Sequence, residues 1–210
     1  MIKRLILVGG GASAREYVDL SDAISAAGQG KKITAYIDDT GPALEGSDYQ
    51  LEYLGSIHQY IPDPEDEFVM AIASPEAKKK ISQLLRDKGA KFAQLIHPSA
   101  VISTTTKLGE GVTIGAHAFV SANAKIGDLV AINALSSVGH DVELGSFSTL
   151  SAHVDLTGYV QVGEAVFFGS GARVLPRVKI GSGAKIGIGA TVMRSVPPNA
   201  VMYIQPAKKL

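Results

Sequence analysis

Residues 108–145, LGEGVTIGAHAFVSANAKIGDLVAINALSSVGHDVELG, place an aliphatic residue at every sixth position: Leu108, Ile114, Val120, Ile126, Ile132, Val138 and Leu144. Followed outward in both directions, the phase never slips. It begins at Ile96 and Ile102 and continues through Leu150, Leu156, Val162, Phe168, Val174, Ile180, Ile186 and Val192. Glycine follows nine of these seventeen positions, and the position four residues on is mostly small or branched, as at Val112, Ala118, Ala124 and Val130. A strand repeats every two residues and a helix every 3.6, so a period of six suits neither alone. It suits a coil with three flat faces, each one hexapeptide long, with one inward aliphatic residue per face. The glycine after it is expected to take the tight corner, where positive φ is often needed. Eighteen residues then close one coil, and coils stack at about the 4.8 Å inter-strand spacing. A β-sandwich, with irregularly spaced turns, would break the phase. Residues 96–195 are therefore read as an all-β left-handed parallel β-helix.

The first 95 residues read as a small α/β domain, a Rossmann-like half domain. Lys3–Val8 is a predicted strand, Gly9-Gly10-Gly11 a turn, and Ala14–Ala27 a helix stopped by Gly28. Ile33–Ile37 and Phe68–Ala73 are further strands. Pro75 suits the first turn of a helix running to about Lys88, and Phe92–Ile96 is a strand feeding the first coil. Strands alternating with helices give a parallel sheet. His97-Pro98 marks the junction, because the residue before proline favours extended backbone. The tail, residues 196–210, carries Pro197, Pro198 and Pro206, and is expected neither to continue the coil nor to form a helix.

Gly9-Gly10-Gly11-Ala12-Ser13-Ala14 follows a strand and opens a helix, and Asp38 ends the next strand. This is the context of a phosphate cradle: glycines let backbone come close, and a helix N-terminus favours an anion. A full dinucleotide fold uses two mononucleotide-binding halves, so one half suits one nucleotide better than NAD. A tight turn with no ligand is the bland alternative. Composition adds exclusions. Lys plus Arg balances Asp plus Glu at 20 each, so no bulk charge attracts nucleic acid or an anionic membrane. There is no cysteine, which removes disulfides, thiolate metal sites and a cysteine nucleophile. The apolar N-terminal run is short and ends in a glycine turn, so it reads as a strand rather than a signal peptide, and a soluble cytoplasmic protein is expected.

Of the histidines His58, His97, His117, His140 and His153, His140 stands apart. It lies at a corner, two residues after Val138, and Asp141 follows it. A corner projects its side chain outward, and a neighbouring carboxylate orients an imidazole and makes it a better base. His117 and His153 repeat two coils apart, with no chemistry that needs them. A three-histidine metal site requires ligands that converge; no two histidines are close in sequence or matched on adjacent coils, so no metal is expected.

These features resemble the bacterial sugar O- and N-acyltransferases related to the sialic acid O-acetyltransferase and the bacillosamine and perosamine N-acetyltransferases. The resemblance spans nearly the whole chain. It rests on Gly9–Ala14, Asp38-Asp39, Gly55, His97-Pro98, Ile132-Asn133, His140-Asp141 and Pro206-Ala207. It implies a homotrimer with acetyl-CoA lying in the groove between two solenoids, His140 as general base and Asp141 as the residue that raises its basicity. It implies a nucleotide-sugar acceptor held by Gly9, Gly10, Gly11, Ala12, Ser13, Asp38, Asp39, Gly55 and Asn133. Positions matching the family's CoA contacts are Thr149, Gly158, Ser170 and Ile188. The chain departs from related N-acetyltransferases at Thr149, where many carry a second histidine, and at Ile204, where glycine is usual. The expected reaction is N-acetylation of a nucleotide-linked 4-amino-4,6-dideoxy sugar by direct attack. O-acetylation of a nucleotide sugar or sialic acid is the alternative within the family. A non-catalytic β-helix scaffold and an NAD-binding sensor are the alternatives outside it.

Overall fold

The computed structural model describes residues 4–205. Lys3 and the Pro206-Ala207 pair lie outside them. From Leu95 to Met202 the chain forms two-residue strands in three parallel sheets of six, five and seven strands. Phe119 pairs with Ser137 and Ser137 with Asp155, while Lys125 pairs with Glu143 and Glu143 with Gln161. Each partner lies eighteen residues on, so a parallel β-solenoid with three faces per coil follows from the hexapeptide. Two inward lines fill its interior. One is the six-residue series, Ile114, Val120 and Ile126 onward. The other is the series four residues later, Val112, Ala118 and Ala124 onward, and both are buried. Each aliphatic side chain so removed from water contributes about 1.5–3 kcal/mol. Ser136 and Ser148 interrupt the second line. Their hydroxyls donate to Ser151 O and Gly163 O and accept from Val154 N and Val166 N of the next coil, so neither is unsatisfied.

The corners are built differently from the sequence expectation. The glycine after the inward aliphatic does not take the positive φ. That conformation falls two residues later, at Asn123 (φ 60°), Leu129 (54°), Leu135 (62°), Asp141 (57°) and Tyr159 (63°). Glycine is needed at the earlier position for closeness: a Cβ on Gly115 would sit 2.6 Å from Ala134 N, and one on Gly169 would sit 2.6 Å from Ile188 N. The left-handed residues, each costing about 1–2 kcal/mol when not glycine, regain a backbone bond across coils. Leu129 N donates to Glu110 O at 2.7 Å and Asp141 N to Ala122 O at 2.9 Å. The tail also departs from expectation. Val196 bridges Ile180, and Val201–Met202 pairs with Lys185–Ile186, so the coil continues past Pro197 and Pro198. Both prolines fall at the corner between those pairings, where no ladder bond is lost.

The N-terminal part is a five-stranded parallel sheet. Its strands are β1 (Leu5–Val8), β2 (Ile33–Ile37), β3 (Glu52–Tyr53), β4 (Glu67–Met70) and β5 (Lys91–Phe92), in spatial order β3-β2-β1-β4-β5. Helix α1 (Ala14–Ala26) packs Tyr17, Val18 and Ile24 against one sheet face, and α2 (Pro75–Asp87) packs Ile81 and Leu85 against the other. β3 was not anticipated; at two residues it is too short to show a period. The strand expected over Phe92–Ile96 is broken in two: β5 completes the sheet, and Leu95–Ile96 opens the solenoid.

Helix α2 lies on the solenoid. Arg86 bonds Glu110 at 2.7 Å and Asp128 at 3.1 Å, and Lys79 bonds Glu164 at 2.9 Å. At the centre of this contact the Lys78 ammonium is buried against Thr149 Oγ1 (2.8 Å) and Ser148 O (3.3 Å). Burial lowers its pKa from 10.5 to about 7. Between those values the unfolded chain binds one more proton than the folded one, so stability should rise with pH across that window and be flat below it. Thermal unfolding at pH 6 to 10 should show wild type gaining on Lys78→Met by up to about 1.4 kcal/mol per pH unit above pH 7; parallel curves would refute it. Gly169→Ala should cost about 1–3 kcal/mol, because the clash is with backbone, and urea unfolding measures it.

Candidate active site

His140 sits on the corner that follows strand Ser137–Val138. Its ring is 54% exposed, and Nδ1 lies 2.8 Å from Asp141 Oδ2. The two side chains are consecutive, yet they converge because Asp141 adopts φ 57°, which turns its carboxylate back on the imidazole. Asn123, one coil earlier, donates to the other oxygen, Asp141 Oδ1, at 3.3 Å. His140's hydrogen bond, with help from Asn123, holds the Asp141 carboxyl below its usual range. The carboxylate thus stays ionised and keeps Nδ1 occupied, which leaves Nε2 to exchange protons with a bound molecule. Gly158, one coil on, forms the floor: a Cβ there would lie 2.6 Å from His140 Nε2 and 2.8 Å from Cε1. Tyr159 closes the far side, its ring perpendicular to the imidazole at 5.0 Å.

Among the predicted donor-contact residues, the structure joins only Gly158 to His140. Ser170 and the exposed Ile188 stack on a different corner of the coil, where Gly189 N donates to Ser170 O at 2.9 Å. Asn133 stands on that same corner. It lines a cavity of about 330 Å³ between α1 and the solenoid, together with Glu16, Tyr17, Asp19, His97 and Thr113. Thr149 is elsewhere: its hydroxyl is buried, accepts from Lys78 and donates to Ala73 O at 3.0 Å. Its side chain joins the two parts of the chain, and its backbone N donates to Val166 O at 2.9 Å.

The glycine turn sits at the carboxyl end of β1, where the strand order reverses between β1 and β4. Crevices at such switch points take ligands in open parallel sheets. Gly9 has φ 98°, and a Cβ on Gly10 would sit 3.1 Å from the Tyr36 ring. Gly11 and Ala12 are exposed. Asp38 uses both carboxylate oxygens internally, on Gly10 N and on Thr40, and its backbone N donates to Gly55 O at 3.1 Å. Ser13 Oγ donates to Ala71 O at 2.8 Å. Asp39 forms a second His–Asp pair, with His58 Nδ1 at 2.7 Å, which sequence reading missed. Burial would raise the Asp39 pKa, but hydrogen bonds from His58 and Ser56 bring it below its usual value. The structure therefore joins the glycine turn to Asp38 and Gly55 by hydrogen bonds, whereas the Asp39 carboxylate is bonded to His58. Among the described residues no group of three or more His, Cys, Asp or Glu could hold a metal ion, and no helix is long and apolar enough to cross a membrane.

Sequence reading also missed Asn123, Tyr159 and Lys78. The first two were findable, since 123, 141 and 159 are spaced by one coil. Gly158→Ala should leave the fold intact, because the atom it meets belongs to a movable ring, yet it should displace the imidazole. Nitrogen NMR of His140 should show the Asp141 hydrogen bond lost at Nδ1; an unchanged spectrum would mean the floor is not needed.

No protein-family model matches the sequence, and no curated protein matches it; the likeness is to solved structures. PerB from Caulobacter crescentus, solved with CoA and GDP-perosamine, is 32% identical with a TM-score of 0.83, over 96% of this chain and 94% of that one. The acetyltransferase domain of PglB from Neisseria gonorrhoeae is 26% identical with a TM-score of 0.86 over 100% of both chains. WeeI from Acinetobacter baumannii, 24% identical with a TM-score of 0.82, shares the fold. With a full-length relative at 32% identity and the same β-solenoid behind a small α/β part, the chain belongs to the hexapeptide-repeat sugar acetyltransferases.

Proposed function

We propose that this acetyltransferase moves the acetyl group of acetyl-CoA onto the amino group of a nucleotide-linked amino sugar, of the 4-amino-4,6-dideoxy type, with His140 as general base. The observation that carries the assignment is the exposed imidazole whose Nδ1 is held by Asp141 at 2.8 Å while Nε2 remains free over Gly158. The acceptor amine attacks the thioester carbonyl, and Nε2 takes the proton it sheds. The tetrahedral intermediate then collapses, the C–S bond breaks, and the CoA sulfur leaves. Backbone N–H groups at the corners are suited to the developing oxyanion. With no cysteine and direct access to the base, no acyl-enzyme is required. PerB was solved with CoA and GDP-perosamine, and PglB's domain with acetyl coenzyme A, which supports both substrate classes. Enzyme membership replaces the scaffold reading.

The nucleotide diphosphate is assigned to Gly9–Ser13 at the N-terminus of α1, with Asp38, Asp39 and Gly55 shaping the cradle and Asn133 facing the sugar. The α/β part then serves as a Rossmann-like half domain before a left-handed solenoid. Acetyl-CoA is assigned to Gly158, Ser170 and Ile188, with Thr149 contributing through its backbone. His140 and Gly158 occupy one corner of a coil, and Ser170 and Ile188 another. One donor molecule reaches both if the corners of two chains face each other, which favours a homotrimer with shared sites. We place the reaction in the cytoplasm, as a step of glycan biosynthesis, without nucleic acid or membrane partners.

His140→Ala should lower kcat by about 10²–10⁴-fold with acetyl-CoA binding nearly unchanged, and a mutant with wild-type kcat would sink the assignment. Light scattering should give three times 21.9 kDa, and a fully active monomer would contradict the shared site. Assays of 4-amino and 4-hydroxy versions of one nucleotide sugar should show transfer to the amine. Acetylation of the hydroxy sugar alone would move the chain to the O-acetyltransferase branch.

A further inference from the structure

Four residues spaced by one coil form a vertical row on the corner of His140: Asn123, Asp141, Tyr159 and Arg177. All four take left-handed backbone, with φ of 60°, 57°, 63° and 64°. Asparagine and aspartate enter that region readily, whereas tyrosine and arginine carry side chains that oppose it. Nothing in the packing of the coil asks for an aromatic ring here, since the Tyr159 side chain points outward and is 46% exposed. Its hydrogen bond and ring contacts run to one neighbour on each side. Tyr159 N donates to His140 O at 3.0 Å, and its ring meets the His140 ring at 5.0 Å and 89°. The Arg177 guanidinium lies 5.1 Å from the centre of the same tyrosine ring, and Arg177 N donates to Gly158 O at 3.2 Å.

We infer that Tyr159 is a positioning residue for the base, and that Arg177 restrains Tyr159 in turn. The inference rests on His140 being the base. The Asp141 contact alone is a poor anchor: both partners are substantially exposed, and water competes for an exposed hydrogen bond. It fixes one ring nitrogen but leaves the imidazole free to pivot about that bond. A perpendicular aromatic contact from the next coil removes the pivot, because edge-to-face pairs have a preferred orientation. The guanidinium packed on the tyrosine face keeps the tyrosine from following the imidazole outward. Nε2 is thereby held to one direction above Gly158. Proton transfer and near-attack geometry are sensitive to displacements of about 1 Å, which can cost roughly 10²-fold in rate.

The test compares Tyr159→Ala, Tyr159→Phe and Arg177→Gln in acetyl transfer, beside a nitrogen NMR titration of the His140 imidazole. Tyr159→Ala should lower kcat by about 10–100-fold and change KM for acetyl-CoA by less than about two-fold, while Tyr159→Phe keeps the ring and restores kcat to within about three-fold. Arg177→Gln should fall between them. In the titration, Tyr159→Ala should speed the exchange of the Nδ1 proton with water, and Tyr159→Phe should not. Wild-type kcat in Tyr159→Ala overturns the inference, and so does a defect in Tyr159→Phe as large as in Tyr159→Ala, which would give the hydroxyl the role. A rise in KM with kcat unchanged also overturns it, making Tyr159 a donor contact. The NMR arm reads ring restraint without turnover. If His140→Ala proves fully active, the assignment of the base fails while restraint of the ring by Tyr159 is still decided separately.

Discussion

Successive coils must approach to the spacing of hydrogen-bonded strands, and that closeness governs the rest of this molecule. Each two-residue strand is too short to be stable alone and exists only through the coil above and below it. The approach is tightest just after each inward aliphatic, where a Cβ on Gly115 or Gly169 would meet the backbone of the next coil at 2.6 Å. Glycine at these places is a matter of clearance. The turning of the chain is done two residues later by left-handed residues, many of them not glycine, whose N–H groups bond to the neighbouring coil.

The corner that carries His140 is a by-product of that stacking. A residue at a given corner position stands directly over its counterpart eighteen residues away, so side chains distant in sequence form columns. His140 therefore has Asn123 and Asp141 on one side and Gly158 and Tyr159 on the other without any long loop to place them. A rigid scaffold of backbone hydrogen bonds holds these groups, which suits the proposed role of His140, since a base must meet its substrates in fixed geometry.

The α/β part meets the solenoid along both helices: α1 lies against Leu95–Ile96, the solenoid's Leu129 packs in one apolar cluster with Leu85 and Phe92, and polar residues of α2 add to the joint. Arg86 reaches Glu110 and Asp128, and Lys79 reaches Glu164, in exposed or half-buried pairs that each contribute little. Lys78 differs, because among the described residues its buried amine has only the Thr149 hydroxyl and the Ser148 carbonyl as partners. A buried amine with no counter-ion favours the neutral form, which is why its pKa falls to about 7. The same contact makes Thr149 part of the joint between the two halves, its hydroxyl bonded to both Lys78 and Ala73 O.

The solenoid was legible in the sequence because its period is local: every sixth residue from Ile96 to Val192 repeats the same instruction, and eighteen residues per coil follows from three faces. The glycine turn after β1 and the His140-Asp141 pair were legible for the same reason, as each is a short contiguous motif. The two-residue strand β3 was invisible, since it shows no period, and the prolines at 197 and 198 misled, since a proline costs nothing at a corner. The role of the corner glycines was misread because steric clearance depends on a coil eighteen residues away. Likewise the His58–Asp39 pair, the Lys78–Thr149 joint and the ring of Tyr159 on His140 join residues far apart along the chain. The sequence by itself determined the period, the two-part organisation and the adjacency of His140 and Asp141; the tertiary structure decided which distant side chains surround that imidazole, because only stacking fixes which residue lies over which.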